Sequence, residues 1–100
     1  MEIYNSRSYD EPKRQYEEEV LVMELEDEVY KLVVHNDDVN TFDFVIMCLI
    51  DICEHTPEQA EQCTMLIHYK GKCTVKTGTL EKLKPMHQAL LDKGLSSEIV

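Results

Sequence analysis

Residues 30–46 read YKLVVHNDDVNTFDFVI, and this stretch decides the fold because its pattern changes twice. It begins with a short β-branched run, which favours a strand. The NDD sequence at 36–38 then favours a turn, because these side chains hydrogen-bond the local backbone. Asn40 is a suitable N-cap for a helix over about 41–54, whose largely apolar surface predicts a central buried element. The stretch therefore predicts strand, turn and helix.

The next segment carries a clear helix start. Residues 56–59, TPEQ, can form a capping box with proline at the first helical position. The helix is expected to run to about Tyr69 and to end at Gly71, since glycine suits the residue after a helix. Residues 72–77 alternate between apolar and polar side chains, which predicts a half-buried strand.

A third helix and a last strand complete the chain. The helix opens at residues 78–79 and contains Pro85, which we expect to kink the helix or to shift its start. Gly94 ends it, and residues 95–100 form the final strand. The order β-α-α-β-α-β predicts an α/β sandwich: three short antiparallel strands in one sheet, covered by three helices.

The charge is distributed unevenly along the 100 residues. Residues 1–28 hold ten acidic and three basic side chains, a net of −7, whereas residues 29–100 have a net of −3. We therefore predict a flexible acidic N-terminal extension over 1–28 and a single core domain over 29–100. Within the extension, residues 20–28 are ambiguous between an edge strand and a packed lead-in.

Composition excludes several classes of partner. A net charge of −10 without a basic stripe argues against nucleic acid, because phosphate neutralisation supplies most non-specific affinity. The sequence has no run of about 18 apolar residues and no apolar leader near its start, so we expect no membrane association and a cytoplasmic protein. Size and acidity favour a monomer.

The sequence contains no pattern typical of an enzyme or a metal protein. It lacks GxSxG, P-loop and HExxH motifs, and its cysteines show no CxxC pair and no metal-ligand spacing with histidine. We expect no catalytic activity, no cofactor and no metal. The cysteines are interpreted as reduced core residues: Cys48, Cys53, Cys63 and Cys73.

One combination of polar residues suggests a binding site. The turn at 36–38 offers an amide oxygen and two carboxylates, and His68 lies near the end of the second helix. If these groups meet, they suit an ammonium group, which needs several acceptors and a nearby negative charge. The alternative is a solvated turn and an unrelated helix-end histidine. The other histidines are expected at the surface without a ligand: His35, His55 and His87.

Two segments, residues 30–46 and residues 61–72 (EQCTMLIHYKGK), resemble the two signature regions of the ClpS family. The resemblance covers about residues 29–100. It implies a bacterial, non-catalytic adaptor that binds N-terminal Phe, Leu, Tyr or Trp of N-degron substrates. The adaptor would deliver them to a ClpA- or ClpC-like AAA+ unfoldase for proteolysis, and the acidic extension would engage that unfoldase.

The resemblance also implies roles for individual residues. The α-amino group of the substrate would be held by Asn36, Asp37 and His68. Its side chain would enter a hydrophobic pocket formed by Phe42, Val45, Thr64, Ile67 and Leu95. The unfoldase would contact Glu81 and Lys84.

Two pocket positions differ from the commoner family pattern, in which both are methionine. Our hypothesis is that Thr64 opens space while Phe42 narrows the entrance, which leaves the order of preference among Phe, Tyr, Trp and Leu open. We still expect β-branched N-terminal residues to fit poorly. The alternatives are that Phe42 staples the helix start and that Thr64 is a surface residue bonding its own backbone. Glu81 is alternatively a first-turn acid favoured by the helix dipole.

Other functions share this element order or these residue types. A structural interaction domain resembling the C-terminal domain of the ribosomal stalk protein also has the order β-α-α-β-α-β. It would not require Asn36, Asp37 and His68 to converge. A metal-binding protein using His68 and cysteines would bind stoichiometric zinc.

Overall fold

The structure is a computed structural model, and it describes residues 28–100. Six elements follow one another: β1 (Tyr30–His35), α1 (Phe42–Cys53), α2 (Pro57–Lys70), β2 (Lys72–Gly78), α3 (Leu80–Asp92) and β3 (Ser96–Ile99). The predicted order β-α-α-β-α-β is confirmed. The predicted extension, with its ambiguous segment 20–28, lies outside the described residues except for Glu28.

The three strands form one antiparallel sheet in the order β2-β1-β3. At the end of β1, His35 pairs with Lys72 at the start of β2 and with Ser96 at the start of β3. The β1–α1 turn, the α2–β2 junction and the α3–β3 junction are therefore gathered at one end of the sheet, which we call the junction end. This arrangement follows from two antiparallel pairings with the same central strand.

The core lies between the sheet and the helices. The central strand buries consecutive residues, Leu32, Val33 and Val34, whereas only Val75 is fully buried in β2. Each helix contributes one apolar stripe to the same cluster, which includes Leu49, Cys53, Ala60, Ile67, Leu83 and Leu90. The prediction of α1 as a central buried helix was wrong in this respect, because α1 also buries only one side and leaves Phe44 and Met47 exposed.

The N-caps differ in one place from the sequence prediction. The N-cap of α1 is Thr41, whose Oγ1 accepts a hydrogen bond from the Phe44 amide at 3.1 Å. The prediction that Asn40 caps this helix was therefore wrong, because the Asn40 side chain is engaged elsewhere. The capping box of α2, between Thr56 and Gln59, is present as predicted.

Glycines end the second and third helices as expected. Gly71 has a φ of 97°, which only glycine adopts readily, and it reverses the chain from α2 into β2. Gly94 and Leu95 donate to the carbonyls of Leu91 and Leu90, forming a Schellman motif with buried leucines on both sides. The helix α3 begins at Leu80 and runs through Pro85, so the proline does not shift its start.

The three histidines that we predicted at the surface are buried or half-buried. His55 is buried, and its Nε2 donates to the carbonyl of Val75 at 2.6 Å. Val75 lies at a bulge in β2, where the register against β1 shifts, so its carbonyl needs a partner outside the sheet. His87 is half-buried with Nδ1 2.7 Å from Ser97 Oγ, and His35 is half-buried with Nε2 3.5 Å from Glu98.

All four cysteines are free. Cys48 and Cys53 are buried, and Cys63 and Cys73 are half-buried against the core. Burial raises the pKa of the Cys53 thiol to about 11, so this side chain behaves as a small apolar residue. Within residues 28–100, no group of three potential metal ligands occurs, and no helix is long and apolar enough to cross a bilayer.

Candidate ligand site at the junction end

A cavity of about 350 Å³ opens at the junction end of the sheet. It lies between the β1–α1 turn, the first turn of α1 and the second half of α2. Ten residues line it: Asn36, Asp37, Asp38, Asn40, Thr41, Phe42, Val45, Thr64, Ile67 and His68. The structure therefore brings the three predicted polar residues and four of the five predicted pocket residues to one cavity.

Topology explains why Asn36 and Asp37 line the same cavity as His68, although 32 and 31 positions of sequence separate them from it. The turn that holds Asn36 and Asp37 follows β1, and His68 lies in the last turn of α2, just before β2. Because β1 and β2 are antiparallel, the end of one strand lies beside the start of the other. The backbone N–H of Asn36 donates to the carbonyl of Gly71 at 2.9 Å, which holds the two junctions together.

The carboxylate of Asp37 is fixed by three hydrogen bonds. Its Oδ1 accepts from the backbone amides of Val39 and Asn40 at 2.9 and 2.8 Å, and its Oδ2 accepts from Asn40 Nδ2 at 2.8 Å. Partial burial would raise the pKa of Asp37, but these hydrogen bonds outweigh it and lower the pKa below its ordinary value. The group is therefore a preoriented anion with one unused lone pair, on Oδ2.

Two other polar groups at the cavity have free acceptor capacity. No hydrogen bond within residues 28–100 engages the side chain of Asn36 or the ring nitrogens of His68. The His68 ring is positioned by edge-to-face packing, with its centroid 6.2 Å from that of Phe42 and 5.2 Å from that of Tyr69. The lining contains two acidic residues, Asp37 and Asp38, and no lysine or arginine.

Part of the cavity lining is buried and largely apolar, and we call this part the apolar wall. Val45, Thr64 and Ile67 are buried, and Phe42 is half-buried at the start of α1. Thr64 Oγ1 donates to the Ala60 carbonyl at 2.7 Å within its own helix, so its hydroxyl proton is already satisfied. The alternative that Thr64 bonds its own backbone is right in this respect, but the residue is not at the surface, being 2% exposed.

Three predicted site residues lie outside the cavity lining. Leu95 belongs to the core cluster beside the end of α3 and is 3% exposed. Glu81 and Lys84 are exposed on α3. Sequence reasoning also missed a residue that the cavity contains, Asn40, because we assigned its side chain to a helix cap. The signal was the spacing Asp-x-x-Asn, which allows an amide to return to the carboxylate three residues earlier.

A second concave region lies between α2 and β2. This α2–β2 groove has a volume of about 410 Å³ and is lined by His55, Glu58, Gln59, Gln62, Cys63, Thr74 and Val75. Its histidine already donates to Val75, and its Nδ1 is buried without a hydrogen-bond partner in the described part of the chain. The groove therefore differs from the cavity around Asn36 and His68 in that one ring nitrogen of its histidine is already bound to the backbone.

The sequence is similar to known proteins over the region that forms this site. The profile of the family described as ATP-dependent Clp protease adaptor protein ClpS matches residues 25–98. The ClpS adapter protein of Thermosynechococcus vestitus is 40% identical over 68 residues, which is 67% of this chain and 72% of the relative. That of Nitratidesulfovibrio vulgaris strain Miyazaki F is 34% identical over 67 residues, 60% of this chain and 67% of the relative.

The fold is similar to that of a solved structure. This is the structure of Agrobacterium tumefaciens ClpS2 bound to L-phenylalaninamide, with a TM-score of 0.63 and 20% sequence identity. The match covers 74% of this chain and 96% of that protein. The family resemblance and the fold class predicted from the sequence are confirmed, and a family of adaptors agrees with the expectation that the chain is not an enzyme.

Proposed function

Because this chain belongs to the ClpS family of ATP-dependent Clp protease adaptors, we propose that its cavity binds the first residue of a substrate protein. The first residue has a free α-amino group and a Phe, Leu, Tyr or Trp side chain. The observation that carries the proposal is that Asn36, Asp37 and His68 line one cavity, whose other lining residues include buried apolar side chains.

The polar groups match an ammonium group in number and in charge. An ammonium has three N–H donors. The amide oxygen of Asn36, the unused lone pair of Asp37 Oδ2 and a ring nitrogen of neutral His68 supply three acceptors. The Asp37 carboxylate, assisted by Asp38 on the same lining, supplies the negative charge. An internal peptide bond offers no such donor set, which would restrict binding to chain termini.

The apolar wall would take the side chain. Burying one large apolar side chain contributes roughly 1.5–3 kcal/mol, and a hydrogen bond to a charged group contributes about 1.5–3 kcal/mol. After the costs of association, these terms suit a reversible complex rather than a permanent one. The L-phenylalaninamide bound by the Agrobacterium relative carries the same two groups, a free α-amine and a benzyl side chain, which supports the proposal.

The competing interaction-domain hypothesis is less well supported. A domain resembling the ribosomal stalk C-terminal domain would not require the turn after β1 and the end of α2 to present free acceptors to one cavity. The lining of this cavity does include Asn36, Asp37 and His68 together. We therefore favour the adaptor with a terminus-binding cavity over a structural domain without one.

Delivery to the protease forms the second part of the proposal. The partner would be a ClpA- or ClpC-like unfoldase in the cytoplasm, contacted through Glu81 and Lys84 on the exposed side of α3. Residues 1–28, with their net charge of −7, would act as the arm that engages it. The adaptor would act as a monomer, without a cofactor, because the cavity is formed within one chain.

A peptide titration tests the proposal. A peptide beginning with Phe should bind measurably, and its N-acetylated twin should bind about tenfold to a hundredfold more weakly, because acetylation removes the charge and the donors. Asp37→Ala should weaken binding of the free peptide, whereas Asp51→Ala, which removes an exposed carboxylate of α1 outside the cavity, should not. Equal binding of the two peptides would exclude a terminus-specific site.

A further inference from the structure

The side chain of Asn40 joins two parts of the junction end. Its Nδ2 donates to Asp37 Oδ2 at 2.8 Å and to the carbonyl of Gly94 at 2.9 Å, across 54 positions of sequence. Both N–H bonds of one amide are therefore used, one toward the candidate ligand site and one toward the α3–β3 junction. Asn40 itself is half-buried and lines the cavity.

We propose that Asn40 is a positioning residue: its side-chain amide bridges the Asp37 carboxylate and the carbonyl of Gly94, and so fixes the orientation of the carboxylate. This inference rests on the proposed function, because the carboxylate matters as a partner of the substrate ammonium. With Oδ1 saturated by two backbone amides and Oδ2 shared with Asn40, a single lone pair is left for a ligand. Asn40 thus sets the direction of the remaining lone pair of Asp37 Oδ2.

Because Asn40 also donates to Gly94, the orientation of the Asp37 carboxylate depends on a contact between distant segments and not on the turn alone. The backbone amides of Val39 and Asn40 fix only Oδ1. Rotation of the carboxylate about its own bond is restrained by the second oxygen, whose partner is the Asn40 amide. That amide is in turn held by Gly94, at the Schellman motif where α3 ends.

A purely structural role for the Asn40 side chain is poorly supported. The helix α1 is capped by Thr41, so it does not need Asn40. The end of α3 is closed by the bonds from Gly94 and Leu95 to Leu91 and Leu90, which do not involve Asn40. Removing the Asn40 amide therefore leaves both helix ends capped, while Asp37 loses its partner on Oδ2.

The first test measures the titration of the Asp37 carboxyl carbon by NMR in the peptide-free protein. The Asn40 side chain is one of the donors that lower the pKa of Asp37, so Asn40→Ala should shift the midpoint upward. Asp38 on the turn and His68 on α2 are the other titratable groups that line the cavity, and their signals should be followed in parallel. The control Thr79→Ala removes the N-cap of α3, lowers stability and should leave the Asp37 midpoint unchanged.

The second test is a double-mutant cycle with the Phe peptide. Asn40→Ala should raise the Kd about threefold to tenfold in the parent protein, but it should have no further effect in Asp37→Ala, because it acts through that residue. Equal effects in both backgrounds, or an unchanged Asp37 midpoint, would overturn the proposal. If neither peptide binds the parent protein, the proposed function fails, whereas the titration still decides whether Asn40 positions Asp37.

Discussion

The candidate ligand cavity and the α2–β2 groove are similar in size but differ in how their histidines are used. The cavity measures about 350 Å³ and contains His68, and the groove measures about 410 Å³ and contains His55. His55 is buried and donates to the carbonyl of Val75. His68 is exposed, and no hydrogen bond within residues 28–100 engages its ring nitrogens.

This difference shows that concavity alone does not identify a ligand site. The groove is similar in size to the cavity, but its imidazole binds the Val75 carbonyl at the bulge in β2, where that carbonyl has no strand partner. The cavity keeps acceptors on Asn36, Asp37 and His68 that no hydrogen bond within residues 28–100 saturates. An imidazole whose ring nitrogens are not bound within residues 28–100, next to a carboxylate and an apolar wall, is therefore the more informative criterion.

The largest effects should come from removing the two histidines. His55→Ala should lower the free energy of unfolding by about 2–4 kcal/mol, because it opens a cavity in the core and leaves the Val75 carbonyl unpaired. His68→Ala should leave stability almost unchanged but weaken binding of the Phe peptide about tenfold. Urea unfolding and peptide titration of the same two variants measure both effects.

The opposite pattern would invalidate the contrast between the two regions. If His55→Ala weakened peptide binding in the folded protein while His68→Ala did not, the ligand would occupy the groove. Peptide binding to His55→Ala must be measured without urea, at a temperature where circular dichroism shows that the variant is folded. This condition separates a loss of affinity from a loss of folded protein.

An intermediate effect on peptide affinity is expected from a larger side chain at the apolar wall, which reduces the volume of the cavity. Thr64→Met replaces a small buried side chain with a longer flexible one and should weaken binding of peptides beginning with Trp more than of those beginning with Leu. The expected difference is about threefold to tenfold, since one or two methylene-sized volumes are lost to the ligand. Thr64→Val, which keeps the volume, is the matched control and should leave the Trp-to-Leu preference unchanged.

The smallest effect concerns acid stability. The pKa of Asp37 is lower in the folded protein than its ordinary value, so its contribution to stability is present above the ordinary aspartate pKa and is lost as pH falls through the folded value. Asp37→Asn removes this titration. The difference in unfolding free energy between parent and variant should shrink on acidification below about pH 4, by less than about 1 kcal/mol because the group is partly solvated.

A stability difference that grows on acidification would contradict the assignment of Asp37 as a stabilised anion. The experiment compares urea unfolding of the two proteins at several pH values. Glu58→Gln, at the exposed start of α2, serves as a control for the general effect of removing one acidic side chain.

Much of the fold followed from local sequence signals. The capping box at Thr56 and Gln59 and the left-handed Gly71 and Gly94 set the bounds of helices correctly, because each depends on backbone groups within a few residues. The errors came from residues with more than one available partner. Asn40 had the properties of an N-cap, but Asp37 and Gly94 bind its amide instead. His55 was predicted at the surface because no local sequence pattern indicates the bulge at Val75, whose carbonyl binds the imidazole.

By itself, the sequence determined the element order, the family and the residue types that an ammonium site requires, since these depend on periodicity, turn chemistry and recognisable motifs. The tertiary structure decided which of those residues share a cavity, because pairing β1 with both β2 and β3 brings three distant junctions to one end of the sheet. It also placed Leu95 in the core and tied Asn40 to Gly94. Contacts between distant segments depend on strand pairing, which no local pattern specifies.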